Sequence, residues 1–237
     1  MIPSSTRIPF GRVIAVILPV LLVAACSSAG ASPGTTAKAT TGAAPTTPAP
    51  ASTGPSAAGT ACPTRLPAPL PSGQTRTVTM NTAHGAIVIK VEGALAPLAA
   101  GNFVALSSCG YYVDTVFHRL VPGFVIQGGD GEFGRSPNVD SRRVGQGGPG
   151  YLFADDRVTG SYTRGTVAMA NSGPNTNGSQ FFIVLADASL PPSYSIFGSV
   201  VSGMDVVDMI AAMPNSGPPA NQAITPVPIT AVTVANP

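Results

Sequence analysis

The side chains able to do chemistry in this 237-residue chain are few and far apart. There are two histidines, His84 and His118, and three cysteines, Cys26, Cys62 and Cys109. Nucleophilic catalysis needs a hydroxyl or thiol within reach of a base that a third group orients. His84 falls between two strand-like runs, His118 is followed by an arginine, and no nucleophile-elbow pattern is present. Two isolated histidines without clustered acids make no metal set. Three scattered cysteines form neither a four-thiolate zinc site nor a disulfide-dense miniprotein. One run, Gly129-Asp130-Gly131-Glu132-Phe133-Gly134, satisfies the G-x-G-x-x-G spacing of a dinucleotide loop. Carboxylates occupy two of its intervening positions and Pro137 interrupts any helix after it, so it reads as a surface turn. Twelve basic and ten acidic residues leave a net charge of +2, too little clustered Lys and Arg for a nucleic-acid binder. No metal, cofactor or nucleic acid is expected.

What remains is two uncharged, glycine-rich blocks with single polar residues set well apart. The first is Val116-Phe117-His118-Arg119-Leu120-Val121-Pro122-Gly123-Phe124-Val125-Ile126-Gln127-Gly128-Gly129-Asp130. The second is Val167-Ala168-Met169-Ala170-Asn171-Ser172-Gly173-Pro174-Asn175-Thr176-Asn177-Gly178-Ser179-Gln180-Phe181-Phe182-Ile183, with Tyr194-Ser195-Ile196-Phe197-Gly198 downstream. These blocks, and the stretch from roughly Thr75 to Asn236 around them, resemble the cyclophilin-type peptidyl-prolyl isomerases. The resemblance implies an eight-stranded, closed antiparallel β-barrel capped by two α-helices. It also implies rotation about X–Pro bonds of proline-containing polypeptides without a cofactor; a monomer is expected.

By the same resemblance Arg119 is the catalytic residue, Gln127 and Asn171 hold the substrate backbone, and Gln180 supports them. Phe124, Val125, Phe182, Leu190, Tyr194 and Phe197 form the pocket for the proline ring, with Ala170 beside it. Each residue also has a plainer reading. An arginine can be a surface ion-pair partner, aromatics in alternating strands are ordinarily core, and Gln127 or Asn171 can cap turns. His118 is expected to be structural. Two departures matter: Ser189 stands where eukaryotic members carry a tryptophan, and Tyr194 where they carry a histidine. Losing the indole puts tight binding of cyclosporin in doubt. A non-catalytic module or chaperone that binds proline-containing segments is the alternative function.

The elements that must position these residues are legible in outline. Ile87, Ile89 and Val91 alternate with Lys90 and Glu92, a strand period, and pair with Thr77–Met80 across His84-Gly85 as a hairpin. Pro97–Leu106 fits a helix with proline in its first turn. Gly203–Met213 fits a second, its Val206, Val207, Ile210 and Met213 on one stripe and Asp205 near its positive end. Short runs at 165–170, 180–185, 195–201 and 229–235 read as strands. Short strands, Gly/Pro turns and two helices indicate a mainly β barrel or sandwich.

The first sixty residues carry Arg7, Arg12 and Lys38 and no acid. Arg7 and Arg12 precede a thirteen-residue apolar run, Val13–Ala25, whose helical length of about 20 Å is too short for a hydrocarbon core. Residues 1–25 therefore read as a signal peptide. Leu22-Val23-Ala24-Ala25-Cys26 resembles a bacterial lipobox, making Cys26 the lipidated residue of an exported protein anchored to the outer face of the cell membrane by lipid alone. Residues 26–74 read as that cysteine and a disordered Ala/Ser/Thr/Pro/Gly tether, and 75–236 as the isomerase domain. In an oxidising compartment Cys62 and Cys109 could pair; Cys109 could equally be a small core residue.

Overall fold

A computed structural model describes residues 61–236; the leader, Cys26 and the stretch to residue 60 lie outside the described residues. The alternating run at 87–91 forms the expected hairpin. Strand β1 (Thr75–Thr82) pairs antiparallel with β2 (Gly85–Glu92), from Thr75 opposite Glu92 to Thr82 opposite Gly85. Val78, Met80, Ile87, Ile89 and Val91 are fully buried on its inner face. His84 is exposed in the turn, where its N–H donates to Thr82 Oγ1 at 3.1 Å.

Helix α1 (Pro97–Ser108) opens with proline and has no side-chain cap of its own. The cap comes from far along the chain: the Asp156 carboxylate accepts from the N–H groups of Leu98 (3.2 Å) and Ala99 (2.9 Å). Seven further strands and a second helix follow. They are β3 (Val116–Val121), β4 (Val125–Gly128), β5 (Thr166–Met169), β6 (Phe181–Val184), β7 (Ile196–Ser202), α2 (Met204–Ala211), β8 (Gln222–Pro228) and β9 (Ala231–Ala235). Gly203, at φ 89°, turns the chain into α2; a Cβ there would strike the Ala86 carbonyl.

The protein is mainly β with two helices, but the expected closed, eight-stranded barrel is corrected. Among the described residues nine strands form one antiparallel curled sheet in the order β8-β3-β4-β6-β5-β7-β2-β1-β9, and no ladder joins its two ends. The reason lies in the C-terminal segment. Pro228 has no N–H to continue the ladder, and after it Ile229 N–H donates to Thr115 O and Thr230 N–H to Asn81 O, both at 2.8 Å. One stretch of chain thus splits into β8 on one edge and β9 on the other.

The inner face of the sheet and α1 enclose a core whose centre is aromatic. Phe103 lies 4.6 Å from Phe197 and 5.4 Å from Phe181, centroid to centroid, and Phe117 lies 6.1 Å from Phe181. Phe197 is therefore fully buried in the core and does not line the cleft described below, a second correction. Its neighbour Ile196 faces the other way, as period-2 alternation requires.

The boundary at residue 74 moves as well. Cys62 and Cys109 are joined by a disulfide. Leu70 is buried, its N–H donating to Pro97 O at 2.9 Å, and Gly93 N–H donates to Gln74 O at 3.0 Å. Leu66 and Leu70 supply apolar anchors, and Gly101 leaves room for the backbone of Ala68 and Leu70 to lie on α1. The folded unit begins no later than Cys62.

Closing a 47-residue separation is expected to stabilise the fold by about 2–4 kcal/mol. Urea unfolding with and without reductant should show that difference, and thiol titration of the denatured, unreduced protein should find neither Cys62 nor Cys109 free. Phe197→Ala should cost about 3–5 kcal/mol of stability, as a large cavity in a dense core does.

Candidate functional site

The sheet has two faces, and the polar residues of the two sequence blocks lie on the outer one. Across β3, β4, β6 and β5, Arg119 stands opposite Gln127, Gln127 opposite Phe182, and Phe182 opposite Ala168. The adjacent row of Leu120, Ile126, Ile183 and Val167 points into the core. A one-residue step in register thus separates a hydrophobic interior from a row carrying a cation, an amide and an aromatic ring.

A bulge in the β3–β8 pairing lies between Phe117 and Arg119. Phe117 and Leu120 both enter the core, which leaves the two residues between them, His118 and Arg119, on the outer side. Both line a chamber of about 210 Å³ with Gln146 and Gln222.

On the other side of Arg119 is a cleft of about 170 Å³ walled largely by apolar and aromatic side chains. Phe182 and Val125 belong to the buried cluster beneath it, and Phe124, Leu190, Tyr194 and Ala170 complete its walls. The Phe182 and Tyr194 rings meet edge to face at 5.5 Å. Tyr162, which the sequence reading missed, pins this wall: its hydroxyl donates to Tyr194 O at 2.9 Å and accepts from Tyr194 N–H at 3.1 Å. Gln127 and Asn171 close the rim, and with Ala170 they are shared by a neighbouring glycine-rich cleft of about 280 Å³. An extended chain can therefore cross both clefts with an apolar group seated in the first.

Of the expected site residues, Arg119, Phe124, Val125, Gln127, Ala170, Asn171, Phe182, Leu190 and Tyr194 come together around this one cleft. Gln180 lines the neighbouring cleft instead. Asn171's side chain is engaged in its own loop, donating to Ser193 O at 2.8 Å and accepting from Gly173 N–H at 3.3 Å.

Among the described residues Arg119 forms no ion pair, which removes the plainer reading of it. Amides orient it instead. Arg119 Nη1 donates to Gln127 Oε1 (3.4 Å), Gln127 Nε2 to Gln180 Oε1 (3.0 Å), and Gln180 Nε2 to the Gly147 carbonyl (2.9 Å). The guanidinium is thus aimed without being neutralised. The expected surface turn at 129–134 is also corrected in part. It is a turn, yet Asp130 within it is fully buried, its Oδ1 accepting from Glu132 N–H (3.0 Å) and Phe133 N–H (2.9 Å). No pattern in its spacing announces that burial, because the loop that covers it comes from residues 144–147.

His118 is buried as well, and neither ring nitrogen has a well-formed hydrogen-bond partner. Burial pushes its pKa down to about 4, the Asp130 charge offsetting only part of the effect. His118 therefore stays neutral at pH 7 and adds no charge beside Arg119. The unfolded chain takes up this proton near pH 6.5, whereas the native chain refuses it until about pH 4. Stability should accordingly fall by an amount on the order of 3 kcal/mol as pH drops through that window. Chemical unfolding of wild type and His118→Gln at pH 7 and pH 4.5 should show the loss in wild type and a smaller one in the variant.

Chemically, the site offers an apolar slot, a directed cation beside it and amides along its rim. Among the described residues no His, Cys, Ser, Asp, Glu or Lys lines the slot, and its lining suits binding and polarising an amide.

Comparison with known proteins gives the same fold. The family model described as cyclophilin type peptidyl-prolyl cis-trans isomerase/CLD matches residues 77–234. A peptidyl-prolyl cis-trans isomerase of Arabidopsis thaliana is 39% identical over 168 residues, covering 68% of this chain and 97% of its own. A probable peptidyl-prolyl cis-trans isomerase B of Mycobacterium leprae is 38% identical over 170 residues; the match spans 62% of this chain and only 54% of that longer protein. The crystal structure of a cyclophilin type isomerase from Cryptosporidium parvum superposes with a TM-score of 0.60 at 32% identity, covering 69% of this chain and 99% of that one. The same parasite protein has also been crystallised in the presence of the dipeptide Ala-Pro.

Proposed function

Because this chain belongs to the cyclophilin-type peptidyl-prolyl cis-trans isomerases, we propose that the cleft beside Arg119 is where it turns X–Pro bonds, and that its substrates are exported polypeptides. Amide resonance sets a barrier of about 18–20 kcal/mol, so unaided exchange takes tens to hundreds of seconds. No bond is made or broken. The site needs only to favour the twisted amide over both planar forms.

The proline ring sits on Phe182 between Val125, Phe124, Leu190 and Tyr194. As the bond twists, the prolyl nitrogen loses conjugation and regains a lone pair. Arg119, permanently charged and with rigidly directed donors, gives that nitrogen a hydrogen bond unavailable to it in either planar state. Gln127, with donor capacity left over, and the backbone of Asn171 hold the chain on the side that stays still. The apolar walls exclude water and strengthen the arginine's bond. The observation that carries this reading is an arginine with no carboxylate partner, aimed by an amide beside an apolar slot.

The Cys62–Cys109 pair supports export, since such bonds persist in oxidising compartments. A signal peptide and lipidation at Cys26 would place the domain on the outer face of the membrane as a monomer that reaches folding chains there.

In a coupled assay on an Xaa-Pro peptide, Arg119→Ala should lower kcat/KM about a hundredfold or more, with the fold intact. Wild type and variant turning over equally slowly would instead mark a proline-segment binding module or chaperone. With Ser189 in place of an indole, cyclosporin should inhibit weakly; full inhibition at stoichiometric drug would contradict the pocket described. Replacing Cys26 with Ala should release the protein from membranes, as fractionation of expressing cells would show.

A further inference from the structure

We propose that Asp130 is a positioning residue for isomerisation, setting the direction of the Arg119 guanidinium through the 145–147 loop and two glutamine amides. The inference rests on reading Arg119 as the catalytic donor.

Asp130 is fully buried, and its partners are four backbone N–H groups. Two belong to its own turn. The other two come from across the chain: Gly145 N–H and Gly147 N–H donate to Oδ2 at 2.8 and 3.0 Å. A carboxylate is acceptor-only, so four donors match its capacity and tie the distant loop to the end of β4. The loop is shaped to sit there. Gly145 is left-handed at φ 94°, and a Cβ at Gly147 would collide with Asp130 Oδ1 and lie 2.6 Å from Glu132 Cβ.

Seated in this way, the loop presents the Gly147 carbonyl to Gln180, and polarity propagates from that point. A carbonyl requires a donor, so Gln180 turns its Nε2 toward it and leaves Oε1 facing Gln127. Gln127 must then offer Nε2 to Gln180, which leaves its own Oε1 for Arg119 Nη1. Each amide has one donor end and one acceptor end. If the carbonyl withdrew, Gln180 could flip, Gln127 would follow, and N–H would face N–H at the arginine. The carboxylate thus acts on the guanidinium without touching it or neutralising it.

The test is kinetic, on the full chain, with kcat and KM measured separately. Asp130→Asn replaces one acceptor by a donor and loosens the loop. It should lower kcat about tenfold while KM moves less than about twofold, because orientation and not ground-state binding is lost. Gln180→Glu supplies the control: a carboxylate accepts from Gln127 whatever the Gly147 carbonyl does. In that background Asp130→Asn should change kcat by less than about twofold, a loss of additivity that a purely structural role would not produce. Should Asp130→Asn fail to fold, Gly147→Ala displaces the loop from the other side and should follow the same pattern. Equal losses in both backgrounds, or no loss in the Gln180-containing protein, would overturn the proposal. Arg119→Ala in the same assay separates the two levels: full activity there sinks the catalytic reading, whereas a slow Arg119→Ala with additive Asp130 effects removes only the role of Asp130.

Discussion

A guanidinium that is to serve a ligand must be held in place without being neutralised. A carboxylate would fix Arg119 more firmly, but it would also take up the charge and donors on which the site depends. The chain solves this with neutral amides: Gln127 aims the arginine, Gln180 aims Gln127, and a backbone carbonyl aims Gln180. Among the described residues the outer row of Arg119, Gln127, Phe182 and Ala168 carries no carboxylate. Asp130, close by in sequence, is turned inward and occupied by four N–H groups.

This places demands on the sheet. Period-2 alternation lets a single row of side chains carry Arg119, Gln127 and Phe182 outward while the next row packs the core. The bulge after Phe117 breaks that alternation at one point and adds His118 to the outer side, where burial keeps it neutral. Long-range ties hold the loops of the domain. Asp156 caps α1, Tyr162 fastens the Tyr194 wall, and Arg135 donates to the carbonyls of Tyr111, Val113 and Gly131. Loops rich in glycine and poor in charge need such ties, because they bury little apolar surface of their own.

Much of this was readable in advance, and the failures share a cause. The hairpin at 75–92, both helices and the strands at 166–169, 181–184 and 196–202 follow from local periodicity, which a short window carries. Residues around the cleft were identified by resemblance of two blocks, and the register of β3, β4 and β6 shows why those blocks lie together. Phe197, which the resemblance puts in the pocket, lies in the core, the plainer reading for an aromatic in an alternating strand. Strand β8 went unseen because Pro226 and Pro228 disguise it as a loop, and residues 61–74 because proline-rich chain looks like tether until something receives it.

Composition, alternation and motif order therefore determined the class of fold, the elements and the identity of the polar residues, since each is a property of neighbours along the chain. Only the tertiary structure decided that the sheet curls without closing, that a cysteine pair and two leucines draw residues 62–74 onto the domain, and that Asp130 is buried beneath a loop some fifteen residues away. Those outcomes depend on contacts between segments distant in sequence. Burial and hydrogen-bond partners are set by whatever chain arrives to cover a residue, and nothing in that residue's own neighbourhood records its arrival.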